Sequence, residues 1–362
     1  MRTRFKLLSL LLIPLSLLLS YLYSLSPEKW EAFYSLKLNK YTIQALSSIT
    51  GIFPFSLFEW LIYIGIGSLL LYTLYTLYRC IKDFSTLPKI LLGYLLNIGC
   101  LVSIFFFIFI AFWGVNYKRP HFSEKYGIVI KEYTPEQLGE LYAYLLNEAS
   151  KVRLELPVDE NGLAMPLGDY KDIFSRAQQG YDIAGQKFTV LNGRYGKAKA
   201  ILASPLMNYT GITGIYSPFT GEPNVNISVP AITIPATTCH EMAHQRGYGF
   251  ENECNFIAYI TALAHPDPDF KYSAYLMAIA YTSNALASAN RDLLLSINAT
   301  MPEGIYKDLV SINEFWDKYD GDVQEVAEQV NNAYLQSNGV SAGTASYGEM
   351  VNLILALYDK FY

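Results

Sequence analysis

Charge is scarce in this chain. Only 16% of its 362 residues are Asp, Glu, Lys or Arg, against about 25% in an ordinary soluble domain. The shortage is concentrated in three uncharged runs, Leu7 to Ser26, Leu61 to Tyr78 and Ile90 to Asn116. Basic residues are few as well: the net charge is −5, and no basic stripe marks a nucleic-acid partner. Four cysteines are too few and too scattered for a disulfide framework. Cys80 and Cys100 sit at or in apolar runs. Cys239 and Cys254 read as small buried residues, with a bridge between them as the alternative. From Lys118 onward there is no Gly/Ser/Pro linker, no low-complexity tract and no repeat. That stretch reads as one domain, so the length allows two domains at most.

What is there begins with membrane-crossing potential. At about 1.5 Å rise per residue, each uncharged run can cross a hydrocarbon core of about 30 Å. Lipid tolerates no unpaired backbone polar group, so each run should be a helix. The first follows a basic head like a signal peptide's, but it is longer than a signal core and ends in Tyr21, Tyr23 and Pro27 without a small-x-small cleavage site. It reads as a retained anchor. Trp60, Tyr78, Trp113 and Tyr117 bound the other two runs, as headgroup-level aromatics do. Arg2, Arg4 and Lys6 precede the first run, and Arg79, Lys82 and Lys89 fill the loop between the second and third. Both groups belong on the cytoplasmic side, which places everything after about Val115 outside it. The expected organisation is a membrane domain, residues 1–117, with spans at about 7–26, 58–78 and 90–116. An extracytoplasmic domain, 118–362, follows.

The second domain should be mainly helical with a small β-sheet. Thr134, Pro135 and Gln137 supply an N-cap, a first-turn proline and a capping box for a helix to about Val152. A second helical stretch covers about 169–182. "KAILA", "ITGIY" and "NVNISV" are strand-like, the last two joined by the turn chemistry of "SPFTGEP". Helical patterning returns at about 269–298, 303–319, 322–337 and 345–361.

Histidine, another scarcity, carries the chemistry. The chain holds four, so a chance His-Glu-x-x-His has a probability on the order of one per cent or less. In "TTCHEMAHQRGYGFENECNFIAYI", His240 and His244 lie four apart on one helix face and can direct two imidazoles at one ion. Glu241 stands where it can activate a zinc-bound water without being a ligand. Catalytic zinc takes a third protein ligand and keeps a fourth position open. His121 and His265 lack ligand spacing. "RGYG" should end the first helix, with Gly247 or Gly249 as a positive-φ cap, and a second helix should begin at "ENEC". Glu251 and Asn255 share one face of it, while Glu253 lies about 200° from Glu251. Glu251 is the expected ligand and Asn255 the partner of a ligand histidine, with Glu253 as the alternative ligand.

This pattern resembles the zincin metallopeptidases. Glu251 to Asn255 is similar to the Glu-x-x-x-Asp of the thermolysin-like branch, with Asn in place of Asp and a shorter interval after His244. Phe250 stands where the metzincin branch has its third histidine. Gly214 to Asn226, His240 to Phe256 and Tyr334 to Leu355 together resemble an uncharacterised family of bacterial membrane proteins, domain of unknown function 3810, over nearly the whole chain. The resemblance implies a zincin-like α+β catalytic domain behind three transmembrane helices, and a membrane-anchored peptidase.

In such enzymes an edge strand beside the active helix pairs with an extended substrate. "ITGIY" and "NVNISV" are the candidates for it. Glu222, Asn224 and Asn226 are substrate contacts or turn and ladder residues. Tyr216 is a further substrate-binding candidate. Tyr216, Arg291 and above all Tyr347 are candidate donors to a developing oxyanion. "YLQSNG" and "SYGEM" read as helix ends packing over the site. The expected function is therefore a zinc-dependent metallopeptidase on the cell membrane. Its partners would be a peptide or protein substrate and the lipid bilayer, with no nucleic acid. The alternative is a zinc-binding sensor or binding module without turnover. An intramembrane protease fits less well, because Thr237, Thr238, Gln245 and Arg246 flank the motif.

Overall fold

The computed structural model describes the backbone of residues 3–361 and the side chains of residues 5–343, 345 and 348–359. Three helices, Phe5–Ser24, Leu57–Lys82 and Phe84–Phe112, are long and apolar enough to cross a membrane. Their few polar groups pair with one another, as hydrocarbon requires. Asn97 donates to the Tyr72 hydroxyl (2.6 Å), Thr73 and Tyr94 share a hydrogen bond (2.9 Å), and Ser103 donates to the Ser9 carbonyl (2.7 Å). The third helix stops sooner than expected. The chain breaks at Trp113 (φ −139°) and continues as a short 3-10 turn, Gly114–Lys118. Asn116, read as the end of a span, is instead buried and accepts from the Ser35 hydroxyl (2.9 Å).

The rest is helical around a small sheet. Thr134 and Gln137 cap Pro135–Arg153 reciprocally. The stretch from Asp169 runs past Asp182 as two helices, Tyr170–Arg176 and Gln178–Lys187. The stretch near 269–298 divides at Asn290, whose extended backbone and side-chain bond to the Leu293 N–H (3.0 Å) start a new helix. Before Met350–Phe361 comes a 3-10 segment, Gly343–Glu349. The core joins Pro135–Arg153 and Pro268–Ala289 to the two motif helices, Ile234–Gln245 and Glu251–Ala264.

The sheet has the order β1 (Lys199–Ala200), β3 (Glu222–Val225), β2 (Gly214–Ser217). β1 is parallel to β3 and β2 antiparallel to it, with Gly214 opposite Val225 and Ser217 opposite Glu222. Pro223 survives in the central strand because β1 pairs only from Asn224 onward. The "NVN" piece is thus central and covered on both sides, and "GIYS" alone of the two candidates is an edge.

The segments on either side of residue 117 are in contact. Helical residues between the first two spans pack into the globular part. Glu31 accepts from Arg119 (2.8 Å) and Lys125 (2.7 Å). Ser47 accepts from the Gly196 N–H (3.0 Å), Thr50 donates to the Thr220 carbonyl (2.9 Å), and Lys199 reaches the carbonyls of Gly51 and Phe53. Contacts this far apart in sequence leave no local pattern.

Candidate metal centre

The motif helix, Ile234–Gln245, begins behind Pro235 and ends where Gly247 takes φ +82°. That left-handed residue lets the chain reverse into Glu251–Ala264. Gly249, the other candidate, has no positive φ. The reversal sets the two helices side by side, with Glu251 in the first turn of the second.

Among the described residues, His240, His244 and Glu251 offer ligand atoms within 4.8 Å of one another. A Glu251 carboxylate oxygen lies 3.1 Å from His240 Nε2 and 3.6 Å from His244 Nε2. Ligand atoms about 2.0–2.2 Å from a tetrahedral zinc sit about 3.3–3.6 Å apart, so the spacing suits that ion. The other ring nitrogens decide the chemistry. His244 Nδ1–H donates to the Tyr248 carbonyl (2.8 Å), and His240 Nδ1–H to Asn255 Oδ1 (2.7 Å). Each bond leaves the Nε2 lone pair facing Glu251. Three electron-pair donors this close repel one another unless a cation lies between them. Burial opposes the charge of His244, but Cys254 and Glu251 outweigh it and hold the imidazole well above its usual range. Burial would raise the Glu251 carboxyl, but the charges of His244 and His240 bring it well below the usual range. The residues fit a divalent ion of the zinc type.

Glu241 is buried beside this cluster but outside it. Its Oε2 has no hydrogen-bond partner, and burial pushes its pKa up to about 7. A Cβ on Gly214 would lie 2.7 Å from the Glu241 carboxyl carbon, so glycine at the start of β2 gives the acid its room.

The remaining candidates are placed as follows. Glu253 accepts from the Phe122 N–H (2.7 Å) and pairs with His121 (3.0 Å), away from the cluster. His265 stacks on Phe270 and bonds the Arg176 carbonyl (3.1 Å). The Glu222 carboxylate caps the second span at the N–H groups of Leu57 and Phe58. Asn224 donates to the Ile215 and Glu222 carbonyls, and Asn226 to the Ile212 carbonyl and Asn208. All three are buried: the Glu222 carboxylate serves the second span, and the two amides serve the turn and ladder. Tyr216 stacks beside His244 at 6.3 Å, and its buried hydroxyl has no hydrogen-bond partner. Arg291 is exposed at the start of Arg291–Asn298. The Tyr347 side chain lies outside the described residues. All four cysteines are free thiols, and burial pushes Cys239 and Cys254 up to about 12.

Three aromatic residues at the site escaped sequence reasoning. Trp113 places its ring 6.2 Å from that of His244. Tyr117 lies on Gly249, 2.9 Å from where a Cβ would be. Tyr334 accepts a hydrogen bond from the Tyr117 hydroxyl (3.2 Å), and its hydroxyl feels the charges of His244 and Glu251. The tail motif "YLQSNG" was the signal for Tyr334.

The family model described as "Protein of unknown function (DUF3810)" matches residues 34–355, and the chain belongs to that family. No curated protein and no solved structure matches the chain.

Proposed function

We propose that this protein is a membrane-anchored, zinc-dependent metallopeptidase with a zincin-like catalytic domain facing away from the cytoplasm. The observation that carries the reading is the convergence of two imidazoles and one carboxylate beside a buried acid that is not one of them. His240, His244 and Glu251 would hold the ion. When bound, zinc supplies a positive charge that lowers the pKa of a water toward neutrality. Glu241 would accept a proton from the attacking water and return it to the departing amine. Edge strand β2 offers its free main chain to an extended peptide. The Tyr334 oxygen accepts a hydrogen bond from Tyr117, and its own hydrogen would serve the oxyanion that develops on the carbonyl. Removing that donor, Tyr334→Phe, should lower turnover by about 10²-fold with zinc content unchanged.

Zinc titration of the full-length protein in detergent tests the ligand set. One ion should bind per chain, and Glu251→Ala should weaken binding by on the order of 10²-fold or more, since loss of an outer partner alone costs about 10–100-fold. Glu253→Ala should leave affinity unchanged. The reverse result would move the ligand assignment to Glu253. No zinc in the wild type would end the proposal.

A further inference from the structure

Trp113 is the first residue beyond the third span, and its ring meets those of both Tyr216 (4.9 Å) and His244 (6.2 Å). Only one aromatic layer separates a metal-binding imidazole from the end of a membrane helix. Tryptophan in such a position marks the headgroup level. A second feature leads from the site into the bilayer. β2 starts at Gly214, against Glu241, and the chain then descends through Ser217 to Phe219. Phe219 packs edge-on against Phe105 of the third span at 5.8 Å. Beneath it runs an open apolar groove of about 400 Å³, lined by Leu101, Val102, Phe105, Phe106, Phe109 and Phe219. Phe109 of the groove wall also packs on Tyr334 (6.3 Å), whose hydroxyl lies beside the site. The loop bearing Phe219 is fixed in place: Thr50 donates to the Thr220 carbonyl and Gln245 of the motif helix to the Gly221 carbonyl.

We infer that the substrate is a membrane-tethered polypeptide whose apolar anchor lies along the third span under Phe219 and whose cut bond lies just outside the hydrocarbon. This inference rests on the hydrolase proposed above and names its substrate class. A strand paired along β2 is led from Glu241 to the groove over about five residues, roughly 16 Å of extended chain. The occupant of the groove must be apolar, because its walls offer no polar partner. A soluble chain would have to bring its cut bond down among the headgroups without that anchor, whereas a tethered chain is already there. Tethering also raises its effective concentration at the site.

The test uses full-length, zinc-loaded protein in phosphatidylcholine–phosphatidylglycerol vesicles. One peptide pool carries a randomised segment alone. Two others join the same segment to a Leu/Ala span of about twenty residues, at either end. The expected result is faster cleavage of a tethered pool, by on the order of ten-fold or more, with cuts clustered about five residues from the anchor. Photo-crosslinking from position 219 in the Glu241→Gln background should capture the same tethered peptides. Equal rates for tethered and soluble pools, or cuts placed without regard to the anchor, overturn the inference and leave the hydrolase standing. No cleavage of any pool by zinc-loaded protein overturns the hydrolase itself.

Discussion

Glu241→Gln should keep zinc and lose the proposed hydrolysis, with turnover expected to fall on the order of 10²–10⁴-fold. The amide has the size of the carboxylate and fits under Gly214 as the acid does. It cannot accept a proton, and that single loss is what the experiment isolates. Burial is the main influence on the group, and it pushes the pKa up to about 7 against the charges of the two histidines. A base so placed is protonated and idle below its pKa and active above it, so activity should climb as pH rises. A bound divalent ion adds positive charge close by and draws that climb to lower pH. Metal analysis and cleavage of a quenched fluorescent peptide pool, read on the same preparation, decide the matter. A variant that sheds zinc together with activity would make Glu241 a ligand. One that keeps full activity would remove the base from the mechanism.

The parts of this architecture legible in the sequence are those set by local spacing. Four residues between His240 and His244 put both rings on one face of Ile234–Gln245, and the glycine at 247 announced the reversal that follows. The 200° between Glu251 and Glu253 showed that one helix could turn only one of them toward the histidines. Which one depended on a partner 132 residues away in sequence, since His121 and the Phe122 amide hold one oxygen of Glu253 on their side. Glu222 misled for the same reason. Its segment reads as a polar turn beside a strand, yet its carboxylate is the N-terminal cap of a membrane helix that begins 165 residues earlier. Trp113 looked like a headgroup marker at the end of a span, and spacing could not reveal that its other neighbour is His244. Capping boxes and helix faces are written in neighbouring letters, whereas the joining of membrane and globular parts is written in pairs far apart.

The clearest such pair supplies the largest stability change. Glu31→Ala should destabilise the protein by about 3–5 kcal/mol, the usual cost of leaving a buried charge without its partner. Arg119 is that charge: its side chain is 2% exposed and its guanidinium donates to Glu31 (2.8 Å) and to the Gly247 carbonyl (2.9 Å). It also lies 4.1 Å above the Tyr248 ring. Tyr248 in turn presents the carbonyl that orients His244. The loss should therefore appear twice, as a lower unfolding midpoint in detergent and as weaker zinc binding. The sign with pH follows from the acid. Burial would raise Glu31, but Arg119 and Lys125 outweigh it and the carboxyl is lowered. Its contribution is then present above the unfolded glutamate pKa, about 4.3, and disappears as pH falls through the folded value. Wild type and variant should differ at neutral pH and converge in strong acid. A variant that unfolds with the wild type at neutral pH would show that residues 26–56 merely rest against the globular part. If the difference is found, the unit that holds the metal site includes the segment between the first two spans, and a fragment starting at Lys118 would lack the acid on which the Gly247 turn depends.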